Sequence, residues 1–261
     1  MLIKEFHKDV VTASGETMRI FITHPSISNR PHAKFPGVVV FSEIYQVTGP
    51  VARFARQIAG QGYICAAPSS FHGFEGPEPL AYDGPGTDRG NELKITKVDR
   101  WVDIPAYLSA QANGGWGWVG QTVESYDEDA TLAIDLLLSL RTCDGVIGAT
   151  GMCLGGHLAF RCAMDARVSS AVCYFATDIH SHSLGAGKSD NSLQRVAAGD
   201  LGHAEVAMIF GKLDGHVPAG GRDLIRRSLH EAGAVFSFYE LAWSQHAYAH
   251  PPPPKIPPLP E

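Results

Sequence analysis

Short apolar runs recur along the chain between segments of helical periodicity, and this alternation constrains the fold more than any other feature of the sequence. The run from Val38 to Phe41 is continuous and mostly β-branched, which is typical of a strand buried on both faces. A helical segment, Val51 to Ala59, follows it, and a second apolar run, Tyr63 to Ala67, comes next. A strand, a helix and a strand within about 30 residues form a βαβ unit, whose strands are parallel.

The same alternation returns in the second half of the chain, whereas the N-terminus differs. There Met18, Ile20 and Ile22 alternate with other residues after the turn residues Ser14 and Gly15, which predicts an antiparallel hairpin. The whole pattern predicts an α/β fold, in which a mostly parallel, twisted sheet carries helices on both faces. The later predicted elements are helices from Val123 to Leu140, Leu158 to Met164 and Gly221 to Ala232, and strands at VIGATG, VSSAVCYFA, AEVAMIFGKLD and VFSFYELA.

Two stretches depart from this alternation. Residues 68 to 120 have little periodicity and are rich in glycine, proline and aromatic residues, so we expect a lid or a substrate-binding excursion there. The last 11 residues, PPPPKIPPLPE, favour an extended terminus over a partner-binding polyproline segment. We therefore expect a single domain over residues 1–250 and a proline-rich tail over 251–261.

Composition excludes several classes of function. The formal net charge of −6 provides no basic surface for nucleic acid or for an anionic membrane. The apolar runs are shorter than the roughly 20 residues that span a bilayer, and the N-terminus does not resemble a signal peptide, so we expect a soluble cytoplasmic protein. Five cysteines without a C-x-x-C pair predict neither a disulfide framework nor a zinc site, and at least four should be buried thiols.

The segment GMCLGG lies between a predicted strand and a predicted helix, and its cysteine is Cys153. This layout is that of a nucleophile elbow, with cysteine in place of the usual serine. The sharp turn crowds its neighbours, so Gly151 and Gly155 should have no room for a side chain. A helix that begins at the cysteine also directs the amide of Leu154 toward a developing oxyanion. A structural thiol in a glycine-rich connection is the alternative.

An elbow of this kind requires an acid after a later strand and then a histidine near the end of the chain. Asp214 follows the strand in AMIFGKLDGHVP, and His246 follows the last predicted strand. The competing acid is Asp223, inside a predicted helix, and the competing histidines are His250 and His216. His216 is too near Asp214 in sequence to serve readily as its partner.

Two further pairs of residues attract attention. His180 and His182 have the spacing of a metal-binding pair, but no second pair matches them, so a loop role is favoured. Trp116 and Trp118 either line a substrate pocket or cap the sheet.

The sequence resembles the dienelactone hydrolases (carboxymethylenebutenolidases), a family of the α/β-hydrolase fold, over nearly its whole length. The resemblance implies that fold, a small ester or lactone substrate, no cofactor and a monomer, with a dimer as the alternative. Five segments carry it: VVVFSEIYQ, QIAGQGYICAAP, GMCLGG, FGKLDGHVP and SQHAYAH.

The resemblance also implies roles for individual residues. Glu43, which follows the first buried strand, would pair with the thiol and regulate its ionisation, whereas a solvent-exposed loop acid is the alternative. The other implied roles are Cys153 as nucleophile, Asp214 as acid, His246 as base, and the amides of Ile44 and Leu154 as the oxyanion hole.

Substrate binding is where the sequence departs from the family. Members that act on dienelactone bind its carboxylate with arginines, one of them four residues after the catalytic histidine, where this chain has His250. A neutral imidazole is a poorer carboxylate clamp than a guanidinium group. Arg89 or Arg100 could supply a second arginine. The alternatives to a lactonase are a carboxylesterase or thioesterase of the same fold, and a binding protein without activity.

Overall fold

A computed structural model describes residues 2–30, 32–95 and 122–248. The strands are β1 (Leu2–Val11), β2 (Thr17–Ser26), β3 (Phe35–Phe41), β4 (Ile64–Pro68), β5 (Cys143–Met152), β6 (Val168–Tyr174), β7 (Glu205–Gly211) and β8 (Val235–Leu241). The helices are α1 (Gly49–Gly60), α2 (His72–Glu75), α3 (Gly84–Ile95), α4 (Val123–Ser139), α5 (Leu154–Cys162), α6 (Ser192–Ala197) and α7 (Ala219–Glu231).

The eight strands form one sheet in the order β1-β2-β4-β3-β5-β6-β7-β8. Strands β3 to β8 pair in parallel, whereas β1 and β2 form the predicted antiparallel hairpin, which joins the sheet through β4. On the central strand β3, Val39 lies opposite Ala66 of β4 and Ala149 of β5. The carboxyl ends of β3, β5, β7 and β8 therefore meet at one edge of the sheet.

Helices cover both faces of this sheet, as the sequence predicts. Successive residues of a strand point to opposite faces. Val40 packs in a cluster with Val51 and Ala55 of α1, whereas Val39 belongs to the larger core that contains Ile134 of α4. The continuous apolar run of β3 thus has a separate hydrophobic partner on each side.

The structure corrects the prediction of a wholly irregular stretch after residue 68, because α2 and α3 lie within its described part. Sequence periodicity misses α3 because GPGTDRGNELKI has three glycines and no apolar stripe. One local bond and one distant contact hold this helix. The carboxylate of Asp83, directly before the helix, accepts the N–H of Gly86 at 2.8 Å, and Gly90 packs against the backbone of Ile44.

Two other differences are smaller. Helix α5 begins at Leu154, four residues before the predicted helical segment, because Gly155 and Gly156 hide its first turn. The sequence does not predict helix α6, because its six residues are too few to show helical periodicity. Within the ranges given above, the structure has no helix that is long and apolar enough to cross a membrane.

Candidate active site

Cys153 occupies the turn between β5 and α5 with a backbone conformation that is rare for a residue with a side chain, φ 58° and ψ −119°. Hydrogen bonds fix this turn on both sides. The N–H of Cys153 donates to the carbonyl of Tyr174 at 3.0 Å, and its own carbonyl accepts the N–H groups of Gly156 and Thr177 at 3.1 and 3.3 Å. A strained conformation that its surroundings hold in this way is typical of functional sites.

The glycines beside the cysteine are required by close backbone contacts. A β-carbon on Gly151 would overlap the carbonyl group of Gly155. A β-carbon on Gly155 would in turn overlap the carbonyl oxygens of Phe41 and Ser42 at the end of β3. The predicted need for glycine at both positions is confirmed, and the elbow is packed directly on the end of a neighbouring strand.

The loops after β7 and β8 bring Asp214 and His246 together. The Nδ1 atom of His246 lies 2.8 Å from Oδ2 of Asp214, whose other oxygen accepts the N–H groups of His216 and Val217 at 2.8 and 3.4 Å. The side chain of Cys153 also interacts with the ring of His246. Since Nδ1 is used by Asp214, Nε2 is the ring nitrogen that is left for the sulfur.

This arrangement favours a protonated imidazole. Burial alone would lower the pKa of His246, but the hydrogen bonds to Asp214 and Cys153 and their negative charges raise that pKa to about 9. Burial likewise opposes ionisation of Asp214, yet the contacts with His246 and two backbone N–H groups lower the pKa of Asp214. At neutral pH the site therefore holds a carboxylate and an imidazolium beside the sulfur.

Two rings pack against His246 that sequence reasoning did not assign. Phe175, at φ 38°, meets it edge to face with centroids 5.0 Å apart. The ring of His216 lies at a centroid distance of 4.4 Å, and burial and the charge on His246 lower the pKa of His216. His216 therefore supports the ring of His246 and bonds Asp214 through its backbone, which agrees with its rejection as the partner of that acid.

Glu43 lies beside the elbow, because it directly follows Phe41 and Ser42, whose carbonyl groups contact Gly155. Its exposed fraction is 4%, so it is not a solvent-exposed loop acid. The hydroxyl of Tyr82 donates to Oε2 of Glu43 at 2.9 Å. Tyr82 lies in the stretch predicted to be irregular, and no local pattern in the sequence marks it.

Gln46 is a second residue that sequence reasoning missed. It is fully buried and adopts φ 63°. Its amide nitrogen donates to the carbonyl groups of Gly76 and Glu78 at 3.0 and 2.7 Å, and its amide oxygen accepts the N–H of Phe71 at 3.1 Å. Gln46 therefore ties the turn after β3 to the segment that leads to Tyr82.

The remaining candidate residues do not join this group. Arg89 lies on α3, where its guanidinium group pairs with Glu75 at 2.6 Å and Glu92 at 2.8 Å. Asp223 lies on α7 and pairs with Arg226, which agrees with its rejection as the catalytic acid. The other substrate-binding candidates, Arg100, Trp116, Trp118 and His250, lie outside the described residues. The described ranges contain no cluster of three or more metal-ligating side chains, so His180 and His182 gain no partner there.

The cysteines differ in exposure. Cys153 is partly exposed, whereas Cys65, Cys143, Cys162 and Cys173 are buried, and none of the five is in a disulfide. Burial raises the pKa of Cys65 to about 12 and also raises the pKa values of Cys162 and Cys173. Thiolate character is therefore disfavoured at these three buried positions.

Comparison with known proteins places this site in a family context. The model of the dienelactone hydrolase family matches residues 24–256. A Saccharomyces cerevisiae protein, provisionally named a carboxymethylenebutenolidase, is 49% identical over 249 residues, which cover 95% of this chain and 82% of that protein.

Solved structures share the fold. A dienelactone hydrolase-like promiscuous phosphotriesterase from metagenomic libraries has a TM-score of 0.66 at 16% identity, covering 96% of this chain and 86% of that one. A Pyrococcus horikoshii acylaminoacyl peptidase has a TM-score of 0.63 at 12% identity, covering 95% of this chain and 38% of that one. These likenesses confirm the α/β-hydrolase fold.

We predict that Gly155→Ala destabilises the protein by about 1–3 kcal/mol, because the added methyl group must displace the end of β3 or the elbow. Urea unfolding measures the change. Gly60→Ala, at the end of α1 with no atom within 4 Å of the added carbon, is the matched control and should leave stability unchanged or slightly raised. Equal urea-unfolding midpoints for Gly155→Ala and Gly60→Ala would contradict the packing of the elbow on β3.

We predict that Asp214→Asn lowers the pKa of His246 from about 9 toward its ordinary value, because the carboxylate that stabilises the imidazolium is lost. NMR titration of the His246 ring measures this pKa in both proteins. The raised pKa stabilises the folded wild type fully below about pH 6.5, and this contribution is lost as the pH rises through about 9. The stability difference between the two proteins should therefore shrink over that range. A His246 titration midpoint that stays near the wild-type value in the variant would show that a group other than Asp214 stabilises the protonated ring.

Proposed function

The chain belongs to the dienelactone hydrolase family and is a hydrolase of the α/β-hydrolase fold, and we propose that it cleaves a lactone or carboxylic ester through the thiol of Cys153. The observation that carries the proposal is the elbow conformation of Cys153, together with its interaction with a histidine that Asp214 orients. Nucleophile, base and orienting acid in hydrogen-bonded sequence are the usual sign of covalent catalysis.

In the first half of the reaction the sulfur attacks the acyl carbonyl carbon. The thiol proton resides on His246, where the carboxylate of Asp214 stabilises the resulting imidazolium. A C–S bond forms as the carbonyl π bond breaks and its electron pair moves to oxygen. When that pair returns, the C–O bond to the leaving group breaks, and His246 protonates the departing alkoxide.

The second half regenerates the enzyme. Neutral His246 takes a proton from water, the resulting hydroxide attacks the acyl-cysteine, and the C–S bond breaks to release the acid and the thiolate. In a lactone the leaving alcohol stays attached to the acyl group, so a single open-chain hydroxy acid departs. No step requires a cofactor.

The amides of Leu154 and Ile44 are the proposed donors to the oxyanion. Leu154 is the first residue of α5, where a backbone N–H has no acceptor within its own helix and carries the positive end of the helix dipole. Ile44 follows β3 beside the elbow, because the carbonyl groups of Phe41 and Ser42 contact Gly155. Donors fixed in this way before the reaction stabilise the negative charge as it develops.

Several expectations from the sequence belong to this proposal. We propose that residues 1–250 form a single domain that acts as a cytoplasmic monomer. Arg89 stays a substrate-binding candidate in this proposal, although Glu75 and Glu92 already bind the Nε and one Nη of its guanidinium group. Dienelactone, p-nitrophenyl esters and acyl-CoA, assayed side by side, distinguish a lactonase from an esterase or a thioesterase.

We predict that Cys153→Ala lowers the hydrolysis of p-nitrophenyl acetate by about 10⁴-fold or more, because the covalent route is lost. Mass spectrometry of rapidly quenched enzyme should find an acetyl group on Cys153 in the wild type. Cys143→Ala removes a buried thiol at the opposite end of β5 and is the matched control, with near wild-type rates. Near wild-type turnover in the folded Cys153→Ala variant would contradict the proposal.

We predict that iodoacetamide at neutral pH labels Cys153 at least tenfold faster than any of the other four cysteines. Exposure and the neighbouring imidazolium favour the reactive thiolate at Cys153, whereas burial hinders the others. Peptide mapping after timed quenching measures the five rates. Urea-unfolded protein is the control, in which the rates should become similar. Equal labelling in the folded protein would support structural thiols throughout.

A further inference from the structure

We infer that Tyr82 is a positioning residue that favours ionisation of Cys153 by holding and partly neutralising the carboxylate of Glu43. The inference rests on the proposed roles of Cys153 and Glu43 and extends them to a residue outside the elbow and the triad. It is built on a short chain of hydroxyl groups that ends at Glu43.

The direction of each hydrogen bond in this chain follows from the groups present. Tyr82 has one hydroxyl proton, which it donates to Oε2 of Glu43 at 2.9 Å. The hydroxyl oxygen of Tyr82 also lies 2.8 Å from Oγ1 of Thr48. Since the tyrosine proton is already used, Thr48 must be the donor in that second contact. The chain therefore runs from Thr48 to Tyr82 to Glu43, and each hydroxyl strengthens the next as a donor.

Thr48 makes this contact instead of the one expected of it. It is the N-cap residue of α1, a position at which a threonine side chain ordinarily accepts a backbone N–H of the first turn. Here the side chain makes no such capping bond. The hydroxyl of Thr48 is directed to Tyr82, and Pro50 in the first turn of α1 has no N–H that this hydroxyl could accept.

The backbone also places Tyr82 opposite Glu43. The N–H of Leu80 donates to the carbonyl of Tyr45 at 3.0 Å, and the buried Gln46 side chain holds the carbonyl groups of Gly76 and Glu78. The segment before Tyr82 is therefore fixed to the turn that carries Glu43. The ring of Tyr45 packs on that of Tyr82, with centroids 4.4 Å apart.

Electrostatics explain how this contact reaches the sulfur. Among the described residues, the titratable groups near this chain include Tyr82, which donates to Glu43, and Tyr45, whose ring packs on that of Tyr82. Cys153 and His246 lie at the elbow, on which the residues that precede Glu43 pack. The proposed pairing of Glu43 with the thiol sets the negative charge of this carboxylate against formation of the thiolate. A hydrogen-bond donor on the carboxylate reduces that opposition. Burial and the charge on Glu43 raise the pKa of Tyr82, so its hydroxyl remains a donor throughout the working range.

The test measures the pH dependence of iodoacetamide labelling at Cys153 in four full-length variants and the wild type. Tyr82→Phe should move the midpoint upward by about 0.5–1 pH unit, which is a roughly three- to tenfold slower reaction below the midpoint. Glu43→Gln should move it downward, because the negative charge is removed. Tyr82→Phe in the Glu43→Gln background should have no further effect, because no charge remains to be neutralised.

Tyr45→Phe is the matched control. It removes the hydroxyl of the neighbouring ring, which contacts Thr87 at 2.8 Å rather than Glu43, and should leave the midpoint within about 0.2 unit of the wild type. With p-nitrophenyl acetate, Tyr82→Phe should shift the pH profile and lower kcat, with little change in KM. Thermal unfolding of each variant checks that it is folded at the temperature of the assay.

The outcomes separate this inference from the proposed function. If Glu43→Gln moves the midpoint but Tyr82→Phe behaves like Tyr45→Phe, Tyr82 has no positioning role and the inference is overturned. It is also overturned if the effect of Tyr82→Phe persists without the Glu43 carboxylate. Failure of the proposed function has a different signature, namely turnover that survives Cys153→Ala.

Discussion

The contact between Gly155 and the carbonyl groups of Phe41 and Ser42 is the constraint on which the rest of the site depends. It presses the first turn of α5 onto the end of β3, so no side chain fits between them. The approach makes glycine obligatory at this position and forces the abrupt change of direction at Cys153, whose φ of 58° is stabilised by bonds to neighbouring strands and loops. The same contact brings the residues that follow β3, among them Glu43 and Ile44, to the elbow without any further loop to position them.

Parallel strands explain how the other two groups reach the same place. Because β5, β7 and β8 run in one direction, the loops that follow them open at a common edge of the sheet, where open α/β sheets bind their ligands. Asp214 and His246 each follow one of these strands, so residues 32 positions apart meet at 2.8 Å. The assembly of the proposed triad therefore follows from topology, and the packing of Phe175 and His216 fixes the orientation of the His246 ring.

Features that depend on local pattern could be read from the sequence, and those that depend on distant contacts could not. The apolar run of β3 and the glycines around Cys153 are local signals, and both indicated the correct structure. Helix α3 has no apolar stripe, and at Gly90 it packs against Ile44, which is far away in sequence, so periodicity could not find it. Tyr82 and Gln46 are assigned only by their partners in space, since neither residue type nor spacing distinguishes them from ordinary loop residues.

Cys153 is placed between influences of opposite sign. The imidazolium of His246, with its pKa raised to about 9, favours the thiolate, whereas the carboxylate of Glu43 opposes it. The balance between them depends on how much of the Glu43 charge its hydrogen-bond donors offset. A buried carboxylate without a donor would concentrate its negative charge in the site and oppose formation of the thiolate. Under the proposed roles, the chain from Thr48 through Tyr82 explains how a buried glutamate and a nucleophilic cysteine can occupy the same site.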